Sequence, residues 1–199
     1  MTLLIATRNP HKLEEIRAIL ARPGLTLMGI DDFGRPLPEV VEDADTFEGN
    51  ARKKARTLCG ASGLWTLADD SGLEVEALHG APGVYSARYA GEGAGDAANN
   101  RRLLRELEGV ADRRARFRCV LALAAPDGRE WTVEGRCEGT LAAKPAGTGG
   151  FGYDPLFHPL GEPRSFAEMP SDAKNRISHR AQALAAGARA WADLLSNSQ

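Results

Sequence analysis

Residues 147–157 read Gly-Thr-Gly-Gly-Phe-Gly-Tyr-Asp-Pro-Leu-Phe, with four glycines (Gly147, Gly149, Gly150, Gly152) around Phe151, leading to Asp154. Glycine admits positive φ and close backbone approach. With one aromatic face and one carboxylate, such a loop can clasp something flat, although a turn-rich connection is the commoner use of a glycine cluster. Asp69-Asp70-Ser71-Gly72 directly follows the apolar run Trp65-Thr66-Leu67-Ala68, which puts at least one carboxylate at a sheet's rim. Adjacent acids repel unless a cation or proton intervenes. Mg2+, which takes few carboxylates together with water and substrate phosphate, suits that pair. Glu42 and Asp43, in an acid-rich stretch before it, are available to complete a metal site. The tetrapeptide is also good turn chemistry.

Three groups of cations could serve those acids or a bound anion. Thr7-Arg8-Asn9-Pro10-His11-Lys12 joins a short apolar strand to a helix, and a helix start offers unpaired N–H groups and a positive dipole end to phosphate. Ordinary capping by Thr7 or Asn9, with Lys12 in solvent, accounts for the same residues. No Walker pattern is present. Lys54 lies four residues after Asn50 in a predicted helix, so the two share a side. Lys174-Asn175-Arg176-Ile177-Ser178-His179-Arg180 opens the last predicted helix, where cations oppose the dipole, and a bound anion would explain them. His179 and Arg180 point about 100° apart on a helix, so the two cannot both share Lys174's direction in one continuous helix.

The elements that must position these groups are read from apolar periodicity. Leu3–Ala6 predicts a buried strand, and Leu13, Ile16, Ile19 and Leu20 predict a helix from about residue 11, stopped by Pro23-Gly24. A second strand is expected over 25–30, a long loop over 31–45, and a helix over 46–59 opened by Asp45 and Glu48 as a capping box. Residues 65–68 predict a strand, and Leu73, Val75 and Ala77 a separate half-exposed one. A glycine-rich loop over 79–95 and a helix over 96–108 follow. Strands over 117–124 and 131–137 flank the turn signal Pro126-Asp127-Gly128, and a further strand near 138–144 precedes the glycine loop. Ile177, Ala181, Leu184, Ala188, Trp191 and Leu195 keep helical spacing and predict one amphipathic final helix. Helices mixed with strands and hairpins indicate an α/β or α+β domain around a mixed sheet.

Composition narrows the class. The 199 residues are 43% hydrophobic and 26% charged, ordinary for a globular domain able to build a core without staples. With 25 basic and 27 acidic residues, a net charge of −2 points to neither nucleic acid nor membrane. Cys59, Cys119 and Cys137 are odd in number and widely spaced, which fits reduced thiols better than a disulfide framework. The initial Met-Thr-Leu-Leu-Ile-Ala meets polar residues too soon for a signal peptide, and no apolar run approaches the roughly 20 residues of a membrane span. The expectation is a soluble, cytoplasmic protein. His79 and His158 have no companions at ligand spacing.

Six segments in order complete the pattern: Thr7-x-Asn9-x-x-Lys12, Thr46-Phe47-Glu48-x-Asn50-Ala51, Ala68-Asp69-Asp70-Ser71-Gly72-Leu73, Gly80-Ala81-Pro82-Gly83-Val84-Tyr85-Ser86-Ala87-Arg88-Tyr89, Gly149-Gly150-Phe151-Gly152-Tyr153-Asp154-Pro155 and Ile177-Ser178-His179-Arg180. Together they resemble the inosine triphosphate pyrophosphatase family, from about residue 3 to 185 of a single domain spanning 1–199. The resemblance implies an α/β fold with an elongated mixed sheet, two lobes around a central nucleotide cleft and a homodimer. It implies Mg2+-dependent hydrolysis of ITP, dITP and XTP to the monophosphate and pyrophosphate. Carried over by motif, Thr7, Arg8, Asn9, Pro10, His11 and Lys12 would hold the triphosphate, with Lys54 assisting. Asp70 would be the base and a metal ligand, Ser71 its neighbour, and Glu42 the second ligand. Phe151, Gly152, Tyr153, Asp154, Lys174, His179 and Arg180 would hold the base and read its 6-oxo group. A nucleotide sensor without hydrolysis, or a phosphatase of sugar phosphates or modified pyrimidine nucleotides, are the rival readings. The acids argue against the first, and Phe151 with its cations argues against a sugar phosphate.

Overall fold

In the computed structural model, which describes residues 1–196, six strands make one mixed sheet in the order β2-β1-β3-β4-β5-β6. They are β1 (Thr2–Ile5), β2 (Thr26–Gly29), β3 (Trp65–Val75), β4 (Arg114–Ala124), β5 (Glu130–Leu141) and β6 (Phe157–Pro159). Helices α1 (Pro10–Leu20), α2 (Phe47–Ser62), α3 (Gly95–Glu106), α4 (Ser171–Ile177), α5 (His179–Ala190) and α6 (Ala192–Ser196) accompany it. The α/β class expected from the alternation of elements is the one found. Among the described residues no helix is long and apolar enough to cross a membrane.

The chain divides into two compact units. The first takes residues 1–70, 119–135 and those from 180 onward. Here β1 pairs in parallel with both β2 (Leu3↔Leu27) and β3 (Ile5↔Leu67). Its core gathers Leu3, Ile5, Ile16, Leu67, Cys119, Leu121, Leu123, Leu184, Trp191 and Leu195. A parallel pair needs a crossover, which α1 supplies between β1 and β2 and α2 between β2 and β3. The second unit takes residues 71–118 and 136–179. Its core is aromatic, with Phe117, Tyr153, Phe157 and Phe166 packed on Leu73, Leu103, Leu107 and Leu156. Here β6 closes antiparallel on the end of β5 (Thr140↔His158).

Three expectations need correction. Asp69-Asp70-Ser71-Gly72 is no turn between two strands. β3 runs unbroken through it, and the half-exposed strand expected to continue to Ala77 ends at Val75, before a 3-10 turn over Glu76–Leu78. Residues 66–70 are all buried, and β3 lies between β1 and β4; pairing and burial override the local turn preference. The strand expected near 138–144 is the far end of β5, which continues from Glu130 to Leu141, and β6 went unforeseen because it is three residues long. The final helix is three helices. Ser178 is extended (φ −64°, ψ 156°) and Trp191 forms a turn, while the apolar spacing continues across both breaks and so hides them.

Candidate active site

In a strand, successive side chains point to opposite faces, and β3 uses this to separate its two acids. On one side Asp69 lies 3.1 Å from the Lys12 ammonium and receives the Arg180 guanidinium at 3.1 and 3.3 Å. Arg180 also pairs with Glu15, one turn along α1 from Lys12. All four belong to the first unit. Burial works to raise the Asp69 carboxyl, but Lys12, Arg180 and Lys54 outweigh it and hold it far below the usual carboxylate range. Asp69 is therefore a fixed anion.

On the other side Asp70 accepts a hydrogen bond from Asn50 Nδ2 at 3.0 Å and lies 3.6 Å from Lys54 Nζ. Asn50 and Lys54 do share a side of α2, and both face this carboxyl. Lys54 Nζ also donates to Glu42 Oε1 at 3.0 Å and to the Asp69 carbonyl at 2.6 Å. Asn50 Oδ1 accepts the Ala44 N–H at 2.9 Å, which pins the acid-rich stretch beside the site. Asp43 turns instead to exposed Lys53 at 2.6 Å. Of the acids left open by the sequence, Glu39, Glu42 and Asp43, Glu42 is thus the one that shares Lys54 with Asp70. Burial is the main influence on Asp70; Lys54 and Lys12 pull its pKa down, Glu42 pushes it up, and the balance leaves it raised to about 6. Burial alone would lower the Lys54 pKa, but Asp70, Glu42 and Asp69 hold it above its ordinary value.

The segment before α1 is engaged in capping. Thr7 Oγ1 accepts the Asn9 N–H at 3.1 Å, and the Asn9 side chain accepts those of His11 and Lys12 at 3.0 and 3.2 Å. Pro10 is the first helical residue, where its missing N–H costs nothing. Arg8 reaches the Leu37 carbonyl at 3.4 Å, and His11 is exposed. The expected unpaired N–H groups of His11 and Lys12 are thus taken by Asn9, and Lys12 pairs with Asp69 rather than standing in solvent.

In the second unit the glycine loop is tied to α4. Asp154 Oδ2 accepts the Phe151 N–H at 3.0 Å and the Lys174 ammonium at 2.7 Å, and both charged side chains are buried. Lys174 Nζ also stands 5.0 Å from the centre of the Phe151 ring and 5.5 Å from that of Phe166, a favourable cation–π placement. Gly150 has φ +69°, and a Cβ there would overlap Asp154 Oδ2. The Tyr153 hydroxyl donates to the Ser86 carbonyl at 2.9 Å. His179 stacks on Phe117, centroids 4.7 Å apart and planes 13° from parallel. Ser71 follows Asp70 along β3 as the first residue of this unit.

The basic cluster over 174–180 does not need an anion at a helix start. Lys174 and Arg176 lie in the last turn of α4, where the dipole favours them, and Arg180 belongs to the first unit with Asp69 and Glu15. Sequence reasoning passed over Glu15, read Asp69 only as half of an acid pair suited to a cation, and read Asn50 only as sharing the helix face of Lys54. The i,i+3 spacing of Lys12 and Glu15 was the available signal for Glu15. Cys59, Cys119 and Cys137 are buried and free, and burial pushes the Cys119 and Cys137 thiols up to about 12; they are inert.

A buried carboxyl raised to about 6 and flanked by ammonium groups is equipment suited to proton transfer beside an anionic substrate. The chain belongs to the Ham1 family, whose model matches residues 3–189. It is 56% identical over 182 residues to a dITP/XTP pyrophosphatase of Syntrophobacter fumaroxidans, covering 92% of this chain and 78% of that one. It is 54% identical to a dITP/XTP pyrophosphatase of Geobacter sulfurreducens, covering 92% of each. Among solved structures, it is similar to a HAM1 protein of Coxiella burnetii (TM-score 0.88, 38% identity, 97% of this chain and 99% of that one). It is also similar to a nucleoside-triphosphatase / dITP/XTP pyrophosphatase of Mycobacterium abscessus (TM-score 0.76, 45% identity, 94% and 98%).

Proposed function

We propose that this protein hydrolyses deaminated purine nucleoside triphosphates, ITP, dITP and XTP, to the monophosphate and pyrophosphate. The observation that carries the reading is the buried Asp70 carboxyl, held between Asn50, Lys54 and Glu42. Its relatives' shared activity supports it. Near neutral pH such a carboxylate can take a proton from water and still be basic enough to drive the transfer. The water oxygen bonds to the α-phosphorus, the bond from that phosphorus to the bridging oxygen breaks, and pyrophosphate leaves with the electron pair. Lys12 and Lys54 offset the charge that develops on the phosphoryl oxygens, and Asp69 with Arg180 fixes Lys12.

Mg2+ fits the donors present. Asp70 and Glu42 are hard oxygen ligands gathered by one ammonium. No group of three or more acids, histidines or cysteines that could hold a metal ion occurs among the described residues, and magnesium takes only one or two carboxylates, completing its shell with water and substrate phosphate. Asp70 and Glu42 would hold it, and when bound it supplies charge neutralisation at the phosphates. Base recognition falls to Phe151, Gly152, Tyr153, Asp154, Lys174 and His179. A site donating hydrogen bonds to a 6-oxo group sets donor against donor when offered a 6-amino purine, and so rejects ATP. The same reading takes the homodimer as the working form and the cytoplasm as its place. A parallel assay of ITP, XTP, dUTP, ATP and GTP with product identification tests it. Pyrophosphate release confined to the deaminated purines is expected; orthophosphate release, or indifference to the base, refutes it.

A further inference from the structure

Glycine loops are entropically loose, and Gly152, at the centre of this one, has φ +62°. Its backbone is nevertheless held on both sides by one helix. The Gly152 N–H donates to Asp96 Oδ2 at 2.6 Å, and the Gly152 carbonyl accepts from Asn100 Nδ2 at 2.8 Å. Asp96 and Asn100 are one turn apart on α3, so they present to the same side. The two bonds fall on different peptide groups, 151–152 and 152–153, and so between them fix both torsions of Gly152. The first of those peptides carries Phe151, whose ring faces Lys174.

Asn100 also has a feature that stability alone does not explain. Its Oδ1 is buried with no hydrogen-bond partner among the described residues, an arrangement that weakens a fold. The side chain is held there by its single bond to the Gly152 carbonyl. We infer that Asp96 and Asn100 are positioning residues that hold the Gly152 loop in its base-clasping conformation. They touch no reacting atom; they set where Phe151 and Asp154 stand. The inference rests on the base-binding role proposed above for that loop.

The test is steady-state kinetics of Asp96→Ala, Asn100→Ala and the conservative Asp96→Asn, with ITP and ATP as substrates and Tm recorded for each. Loss of one hydrogen bond of this kind corresponds to about five- to tenfold. Both alanine variants are expected to raise KM for ITP by about that factor, with kcat within about twofold, and to lower the ITP-to-ATP ratio of kcat/KM. Asp96→Asn, whose amide oxygen still accepts the Gly152 N–H, stays near wild type. Asp96 is exposed, so its variants keep the test decisive if Asn100→Ala does not fold. Unchanged KM in Asp96→Ala overturns the inference, as does a lowered Tm with unchanged selectivity. Equal losses in Asp96→Ala and Asp96→Asn overturn it too, because the effect would then follow charge and not the hydrogen bond. A wild type without preference for ITP over ATP instead refutes the functional reading and takes the clamp's role with it.

Discussion

Replacing Asp70 by Asn should make the metal-free protein more stable at pH 7.5 while abolishing hydrolysis. The carboxyl has an ordinary value of 3.8 and is raised to about 6 in the folded chain, chiefly by burial. The native state therefore binds a proton more tightly than the unfolded state. The stabilisation this gives is complete below pH 4 and is lost as pH rises through 6. At 1.36 kcal/mol for each pKa unit, the ionised carboxylate costs the fold about 3 kcal/mol at neutral pH. For a chain of this size that is roughly 6–12 °C in Tm. Asn cannot ionise, so the stability difference between variant and wild type should grow by about 3 kcal/mol between pH 4 and pH 7.5. Urea denaturation of both proteins across that range in EDTA measures it, and taking the difference cancels the titrating groups that do not interact with Asp70. A difference that is flat, or that shrinks as pH rises, would mean that Lys54 and Lys12 more than repay the burial of Asp70, and the assignment of a near-neutral base would be wrong.

Four further outcomes follow from the same geometry. Adding Mg2+ at pH 7.5 should raise the wild-type Tm and leave Asp70→Asn unmoved, as read by differential scanning fluorimetry, because ligand binding to the native state alone adds stability. Lys54→Met leaves Asp70 and Glu42 without the ammonium they share; the acid limb of the kcat/KM–pH profile should move to higher pH and kcat fall by about 100-fold or more. Arg180→Leu uncovers the buried Asp69 and Glu15 and should cost about 3–5 kcal/mol in denaturant unfolding. Gly150→Ala drives a methyl into Asp154 Oδ2 at a positive φ; titration calorimetry with IMP should show affinity reduced by about tenfold or more as the Lys174–Asp154 pair is displaced.

The parts of this protein that follow local rules were readable from its sequence. The helix after β1 announces itself by Leu13, Ile16 and Ile19 and by the Asn9 cap, and the turn after β4 by Pro126-Asp127-Gly128. Asn50 and Lys54 follow the i,i+4 rule onto a common target. What the sequence hid was set by distant neighbours. Asp-Asp-Ser-Gly has the composition of a turn, and only its burial in a strand flanked by β4 makes it the middle of one. Apolar spacing runs straight through Ser178, so nothing local marks where α4 ends and α5 begins. The fate of the cations was equally concealed, because an excess charge on a helix does not reveal that Asp154, Asp69 and Glu15 lie within reach.

The alternation of side chains along β3 has a consequence for how this protein can change. Asp69 and Asp70 are chemically identical and adjacent, yet one is a permanent counter-ion and the other is the proposed proton acceptor, and only odd-versus-even position on the strand distinguishes them. Sliding β3 by a single residue against its Ile5↔Leu67 alignment with β1 would send every side chain to the opposite surface and exchange the two roles. Single-residue insertions or deletions between Trp65 and Asp70 should therefore be far less tolerated than replacements there. The length of that short segment is guarded as strictly as its chemistry.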